Sequence, residues 1–255
     1  AINQIDNLSI EIIPKDTASS PEITLRSAKE FDTLGVKIVI GPVFNENLIY
    51  LDELNNLIFL SLTNKHNNGS KNIINAGINA TSQLNAIKKF IELKEIKKTI
   101  FLTPDVNYKI EIEKAITNSK IKIINNYIYN TDPTKLTEQI EMITDYERRK
   151  QNLEDEIKRL EKSDENGKEK LIESLEKKDT LGDVKFDSII IADFDESLKS
   201  VTTSLLYTDI SPKDKYLITL NQWFDKSLLK ETSSQPLYFP SINKKNYEDF
   251  SSEYF

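Results

Sequence analysis

The chain has 255 residues, a formal net charge of −7, a single histidine and no cysteine. The missing thiols exclude disulfides, thiolate metal sites and cysteine nucleophiles, and the lone His66 excludes a multi-histidine metal centre. The acidic balance argues against a nucleic-acid partner, because phosphate neutralisation by Lys and Arg dominates that affinity. In chain order, Leu8 to Ile13 reads as a strand ending at Pro14. Pro21 to Leu34 reads as a helix, with Ser20 at the N-cap, Pro21 at the first helical position and Gly35 as the stop. Val36 to Ile40 is a β-branched strand closed by Gly41-Pro42; Leu48 to Leu54 reads as a short helix, and Leu57 to Leu60 as a strand. Ile73-Ile74 is a short strand, Ser82 to Leu93 an amphipathic helix and Thr99 to Leu102 a buried-type strand. Lys109 to Asn118 is a helix and Ile121 to Tyr129 a strand. This alternation predicts an α/β architecture of parallel sheets with right-handed crossovers.

The middle of the chain departs from that rhythm. Asp132-Pro133 starts a helix that apolar spacing carries to about Lys162. Asn166-Gly167 offers a turn, and Lys168 to Lys178 returns. Between Asp145 and Asp179, 22 of 35 residues are charged and of mixed sign, which leaves only a thin apolar seam. The segment reads as a solvated helical hairpin, with a partner-binding element as the sharper alternative. The α/β rhythm then resumes: strand Phe186 to Ala192, helix Ser197 to Leu206, strand Lys215 to Leu220, helix Asp225 to Lys230, extended Leu237 to Phe239, and a helix from Asn246. No apolar run approaches the roughly 18 residues of a transmembrane span.

Catalytic motifs are absent. No G-x-G-x-x-G, G-x-x-x-x-G-K-[ST] or G-x-S-x-G occurs, and nothing places a nucleophile beside a base. Neither a catalytic residue, a metal set nor a cofactor is expected. Asp193-Phe194-Asp195 is open to two readings, a divalent-metal pair or a helix cap. A binding site is better supported, because ligands in open α/β sheets lie beyond the carboxyl ends of the strands. Those positions hold Asn45; Ser61, Thr63 and Asn64; Asp105 and Tyr108; Asp193; and Asn221 with Trp223. Hydroxyls, amides, carboxylates and aromatics in that mix suit a small polar ligand.

The ordered motifs resemble a family. Val36 to Phe44 (VKIVIGPVF) followed by Ile58 to Asn64 (IFLSLTN) is similar to lobe I of type I periplasmic binding proteins. Asn75 to Leu84 (NAGINATSQL), Phe101 to Tyr108 (FLTPDVNY), Phe186 to Asp193 (FDSIIIAD), Leu220 to Asp225 (LNQWFD) and Pro236 to Pro240 (PLYFP) resemble the penicillin-binding-protein activator family, which shares that fold. The resemblance implies two lobes, each a parallel sheet flanked by helices. Lobe I would take 1–79 plus 238–255 and look incomplete; lobe II would take 80–237, with 145–179 as a helical-hairpin insertion. It also implies a non-catalytic protein of the periplasm, often anchored at the outer membrane as a lipoprotein. Such a protein regulates peptidoglycan synthesis by contact with a penicillin-binding protein or another envelope protein. The alternative is a solute-binding protein of an ABC-type uptake system, closing on an amino acid or similar small polar ligand between its lobes. A hydrolase using Asp or Ser groups is a third reading.

Overall fold

The computed structural model describes residues 10–65, 70–220, 230 and 234–254. His66, Asn221, Trp223 and the helix expected from Asp225 lie outside these residues, apart from Lys230. By its internal contacts the chain divides into two compact units, Ala1–Ser82 with Ile242–Phe255, and Gln83–Ser241.

In the first unit, the Ser20 side chain accepts a hydrogen bond from the Ile23 amide at 3.4 Å and starts α1 (Pro21–Thr33). Ala28 and Phe31 on its inner face pack with Leu48, Leu51, Leu57 and Phe59. Three strands, β1 (Ile38–Ile40), β2 (Ile58–Ser61) and β3 (Ile73–Asn75), form a parallel sheet in that order. The register pairs Ile38 with Ile58 and Phe59 with Ile73. Two sequence expectations fail here. Residues 10–13 join no sheet, although Ile13 packs on the core, so the expected first strand is absent among the described residues. Leu48 to Leu54 is not one helix but two 3-10 turns, Asn45–Leu48 and Leu51–Glu53, separated where Tyr50 turns left-handed at φ 72°. The unit closes with α8 (Lys244–Tyr254).

The second unit carries a five-stranded parallel sheet in the order β5-β4-β6-β7-β8. These strands are β4 (Thr99–Pro104), β5 (Asn125–Tyr129), β6 (Ser188–Ile191), β7 (Tyr216–Thr219) and β8 (Leu237–Tyr238). Both β4 and β6 are buried at every residue, as expected of apolar runs covered on two faces. The helices are α2 (Ala80–Leu93), α3 (Lys109–Ser119), α4 (Pro133–Ile143) and α7 (Asp195–Tyr207). Leu136 and Ile140 of α4 and Leu198, Val201 and Leu205 of α7 pack in one core with Ile100, Leu102, Ile189 and Ile191. β8 pairs with β7, placing Leu237 beside Leu217, and the second unit runs to Ser241.

The long helix expected from Asp132 is broken. α4 starts as expected, with the Asp132 carboxylate accepting from the Thr134 and Lys135 amides at 3.2 Å. It stops at Thr144, Asp145 turns left-handed at φ 51°, and α5 (Tyr146–Glu161) leaves on a new course. The physical reason is Arg149, only 4% exposed, whose guanidinium fills the break. Its Nε donates to the Thr144 carbonyl at 2.9 Å, Nη1 to Thr180 Oγ1 at 3.0 Å and Nη2 to the Thr208 carbonyl at 2.5 Å. Thr180 Oγ1 in turn donates to Asp209 Oδ2 at 2.6 Å. One side chain therefore joins the end of α4, the far arm of the helical hairpin and the turn after α7. Beyond it, α5 and α6 (Lys168–Leu175) bury a core of their own, Leu153, Leu160 and Leu175, with Ile157, Ile172 and Leu181 alongside.

Replacing Arg149 by Met leaves two buried carbonyls without their donor, which costs about 2–4 kcal/mol. Urea unfolding should show that loss for Arg149→Met, whereas Arg148→Met, which removes only the exposed pair with Asp145, should leave the midpoint nearly unchanged.

Candidate functional site

The carboxyl end of the second sheet gathers a polar cluster around Asp193, the second residue past β6. The Asp193 side chain is 4% exposed. Its Oδ1 accepts from the Tyr108 hydroxyl at 3.3 Å and from the Phe194 amide at 2.9 Å. Its Oδ2 accepts from Ser197 Oγ at 2.6 Å and from the Tyr129 hydroxyl. The single Tyr108 proton is shared with the Ala192 carbonyl, also at 3.3 Å, so both carboxylate oxygens accept from their own chain but the Tyr108 bond is a divided one. The three side-chain donors come from different pieces of the fold: Tyr129 ends β5, Tyr108 precedes α3, and Ser197 lies in the first turn of α7. The Tyr108 ring also meets Phe194 edge to face at 6.0 Å. Burial raises the hydroxyl pKa of both tyrosines well above the ordinary value of 10, and the Asp193 charge and its hydrogen bonds add to the shift. Beside the cluster lies an open depression of about 530 Å³, lined by Val106, Tyr108, Thr131, Asp193, Phe194, Glu196, Ser197 and Ser200.

Of the site residues expected in this unit, the structure brings Tyr108 and Asp193 into contact. Asp105 is exposed and pairs with Lys109 at 2.5 Å, a local i,i+4 contact. Asn221 and Trp223 lie outside the described residues. Asp195 is exposed, and among the described residues no group of three His, Cys, Asp or Glu could hold a metal ion. Sequence reasoning missed Tyr129 and Ser197. Tyr129 ends a strand just as the chosen residues do, and Ser197 stands one helical turn after Asp193; both signals were local and readable.

In the first unit, the expected residues hold the loops together. Ser61 is fully buried; its Oγ donates to the Pro42 carbonyl at 3.2 Å and accepts from the Thr63 amide at 3.3 Å. Thr63, 3% exposed, accepts from the Lys65 amide at 3.2 Å. Asn75 crosses to the same loop, its Nδ2 donating to the Lys65 carbonyl at 2.6 Å and its Oδ1 accepting from the Gly77 amide at 2.9 Å. Gly77 must be glycine, since a Cβ there would stand 2.0 Å from the Thr63 carbonyl oxygen. Asn64 is exposed and Asn45 half-buried at the start of a 3-10 turn.

No protein-family model and no curated protein matches the chain. Solved structures do. The C-domain of LpoA (YraM) from Haemophilus influenzae, a regulator of PBP1A, is 11% identical with a TM-score of 0.60, over 98% of this chain and 70% of that domain. An ABC transporter substrate-binding protein from Desulfitobacterium hafniense is 14% identical with a TM-score of 0.53, over 96% of this chain and 66% of that one. A leucine-, isoleucine-, valine-, threonine- and alanine-binding protein from Brucella ovis, in a closed conformation, is 11% identical with a TM-score of 0.51, over 94% of this chain and 58% of that one. The chain thus spans between about three fifths and seven tenths of the length of these structures. What the likeness shows is the fold, that of the type I periplasmic binding proteins.

The tyrosine shifts carry a sign. Unfolded, both phenols lose their protons near pH 10; folded, they lose them only at higher pH. The stability they contribute is complete below pH 10 and falls as pH rises above it. Urea stability measured from about pH 9 to about pH 11 should therefore drop. The double variant Tyr108→Phe with Tyr129→Phe should drop less steeply; an unchanged slope would count against the cluster as drawn.

Proposed function

We propose that this is a non-catalytic protein of the bacterial periplasm that regulates peptidoglycan synthesis by direct contact with a penicillin-binding protein. One observation carries the choice over solute capture. The buried Asp193 carboxylate accepts hydrogen bonds from its own chain on both oxygens. A receptor for an amino acid needs an acceptor left over for the ligand's ammonium group, since an unpaired charge is costly to bury. Ser61 and Thr63 are likewise occupied by backbone partners. Support for a contact role comes from the hairpin, which has its own apolar seam and a fixed root at Arg149. The LpoA C-domain, a PBP1A regulator, is among the structures with this fold. On this reading α5 and α6 are the contact arm, and outer-membrane anchoring as a lipoprotein would bring the arm to its partner.

The second reading is a periplasmic solute-binding protein of an ABC-type uptake system. The depression beside Tyr108 and Asp193 favours it, as do the substrate-binding proteins of the same fold.

Two measurements separate them. Residues 153–176 can be replaced by a short Gly-Ser bridge that keeps Arg149 and Thr180, because Asn152 Nδ2 already reaches the Leu181 carbonyl at 3.4 Å. The shortened protein should remain folded and lose binding to the penicillin-binding protein; retained binding would remove the hairpin from the contact. In a thermal-shift screen, amino acids and peptidoglycan fragments should leave the melting temperature unchanged. A ligand at a hundred times its Kd would add about 2.7 kcal/mol and would establish the receptor reading instead.

A further inference from the structure

We propose that the tip of the helical hairpin is a site of spontaneous covalent modification, where Asn166 converts to aspartate and isoaspartate by ring closure onto the Gly167 amide nitrogen. Glycine hinders such a closure least, because no Cβ shields its backbone nitrogen. Among the described residues Asn166 is the one asparagine followed by glycine. Sequence marks the pair only as a turn; the structure shows how freely it stands.

Both residues are exposed. Among the described residues neither the Asn166 side chain nor the Gly167 amide has a hydrogen-bond partner. Gly167 sits at φ 82°, and a Cβ built there would meet no atom within 4 Å, which leaves room for a succinimide ring. Other asparagines are tied down. Asn75 uses both ends of its amide, Asn72 donates to the Leu51 and Leu54 carbonyls, and Asn130 Oδ1 accepts from the Asp132 amide at 2.8 Å.

The flanks of the turn, by contrast, are pinned. Arg159 pairs with Glu165 at 2.6 Å, and Lys168 Nζ donates to the Ser163 carbonyl at 2.7 Å and the Glu161 carbonyl at 3.2 Å. A change at 166–167 therefore stays local and does not reach the seam of Leu153, Leu160 and Leu175.

The reaction needs water and no cofactor. The Gly167 nitrogen bonds to Asn166 Cγ, the Cγ–Nδ2 bond breaks, and Nδ2 leaves as ammonia with the proton of the Gly167 amide. Water then opens the succinimide. Attack at Cγ gives aspartate; attack at the main-chain carbonyl gives isoaspartate, whose chain continues through Cγ. Either product adds a carboxylate beside Asp164 and Glu165, and isoaspartate also adds a methylene to the main chain just before α6. The new charge stands at the N-terminal end of α6, where a helix dipole favours it. The outer end of the hairpin thus gains negative charge with age while the fold persists.

Incubation of the folded protein in mildly alkaline buffer, followed by trypsin and mass spectrometry against an unincubated control, tests the assignment. The fragment 163–168 should gain the mass of an NH2-to-OH exchange and split into two chromatographic peaks, one of them labelled by a protein isoaspartate methyltransferase. The Asn68-Gly69 pair falls in a separate fragment, 66–71. Conversion in the folded protein should run within about tenfold of the rate in a free peptide of residues 163–168, since opening an unbonded loop costs little. Asn166→Gln, whose closure needs a larger ring, should abolish it, and Asn166→Asp should leave the urea midpoint unchanged. Conversion slower than that, or seen only after unfolding in urea, overturns the proposal. So does conversion that survives in Asn166→Gln, and a lowered midpoint for Asn166→Asp would overturn the claim that the fold persists.

Discussion

A parallel sheet must be covered on both faces, because its strands carry apolar side chains above and below and its connections run through helices. The second unit meets that constraint. Ile100, Leu102, Ile189 and Ile191 point to one face and pack with α4 and α7. Phe101 and Ile190 alternate to the other, and they too are fully buried. In the first unit, Val39, Phe59 and Ile73 meet the core under α1, while Ile38, Ile40, Ile58 and Ile74, one residue out of phase, lie exposed. The same alternation that closes one unit leaves an isoleucine face exposed in the other. At roughly 25 cal/mol per Å² of apolar surface, an isoleucine face of this kind is a substantial unclaimed term.

A second constraint is polar. Each buried charge must find partners, and how completely it does so separates architecture from recognition. Arg149 donates to two carbonyls and a hydroxyl. Asp193 receives two tyrosines, a serine and an amide. Both are charged, buried and placed where strands and helices meet, and both are spent on holding their own chain. The tyrosine pair is informative in this respect. A phenol kept protonated by burial beside a carboxylate is a donor already committed, which makes it a poor candidate for a ligand and a good strut between β5, α3 and α7.

Much of the frame was legible in the sequence because its causes are local. Ser20 and Asp132 cap their helices as residue type and the following Pro foretold, and the apolar runs expected at 99–102 and 186–192 fall on the two fully buried strands, 99–104 and 188–191. The misreadings have tertiary causes. Apolar spacing continued through Thr144 and Asp145, and only the distant Thr180 and Thr208 explain why Arg149 interrupts the helix there. Residues 10–13 have a strand's composition, but pairing is a property of two strands and a neighbour is needed. The site was half legible. Asp105 and Asp193 both follow strands and look alike in sequence, yet one pairs with Lys109 in solvent and the other sits in a closed knot. Residue type at a strand end says that a polar group is present; it does not say whether the fold has already used it.

The hairpin joins these themes. Its ion pairs, such as Lys158 with Glu154 and Lys177 with Glu173, are exposed and contribute little to stability. Its seam of Leu153, Leu160 and Leu175 is shorter than a helical pair needs to hold its course alone in water. The direction of the arm is therefore set at its root, where one guanidinium ties Thr144, Thr180 and Thr208 together. A hairpin built this way can change its outer surface at little cost in stability, because its ion pairs are exposed. It cannot change its base. A surface that must vary with a partner while keeping one orientation is better placed on such an arm than beside Asp193, where Tyr108, Tyr129 and Ser197 already bond to the carboxylate.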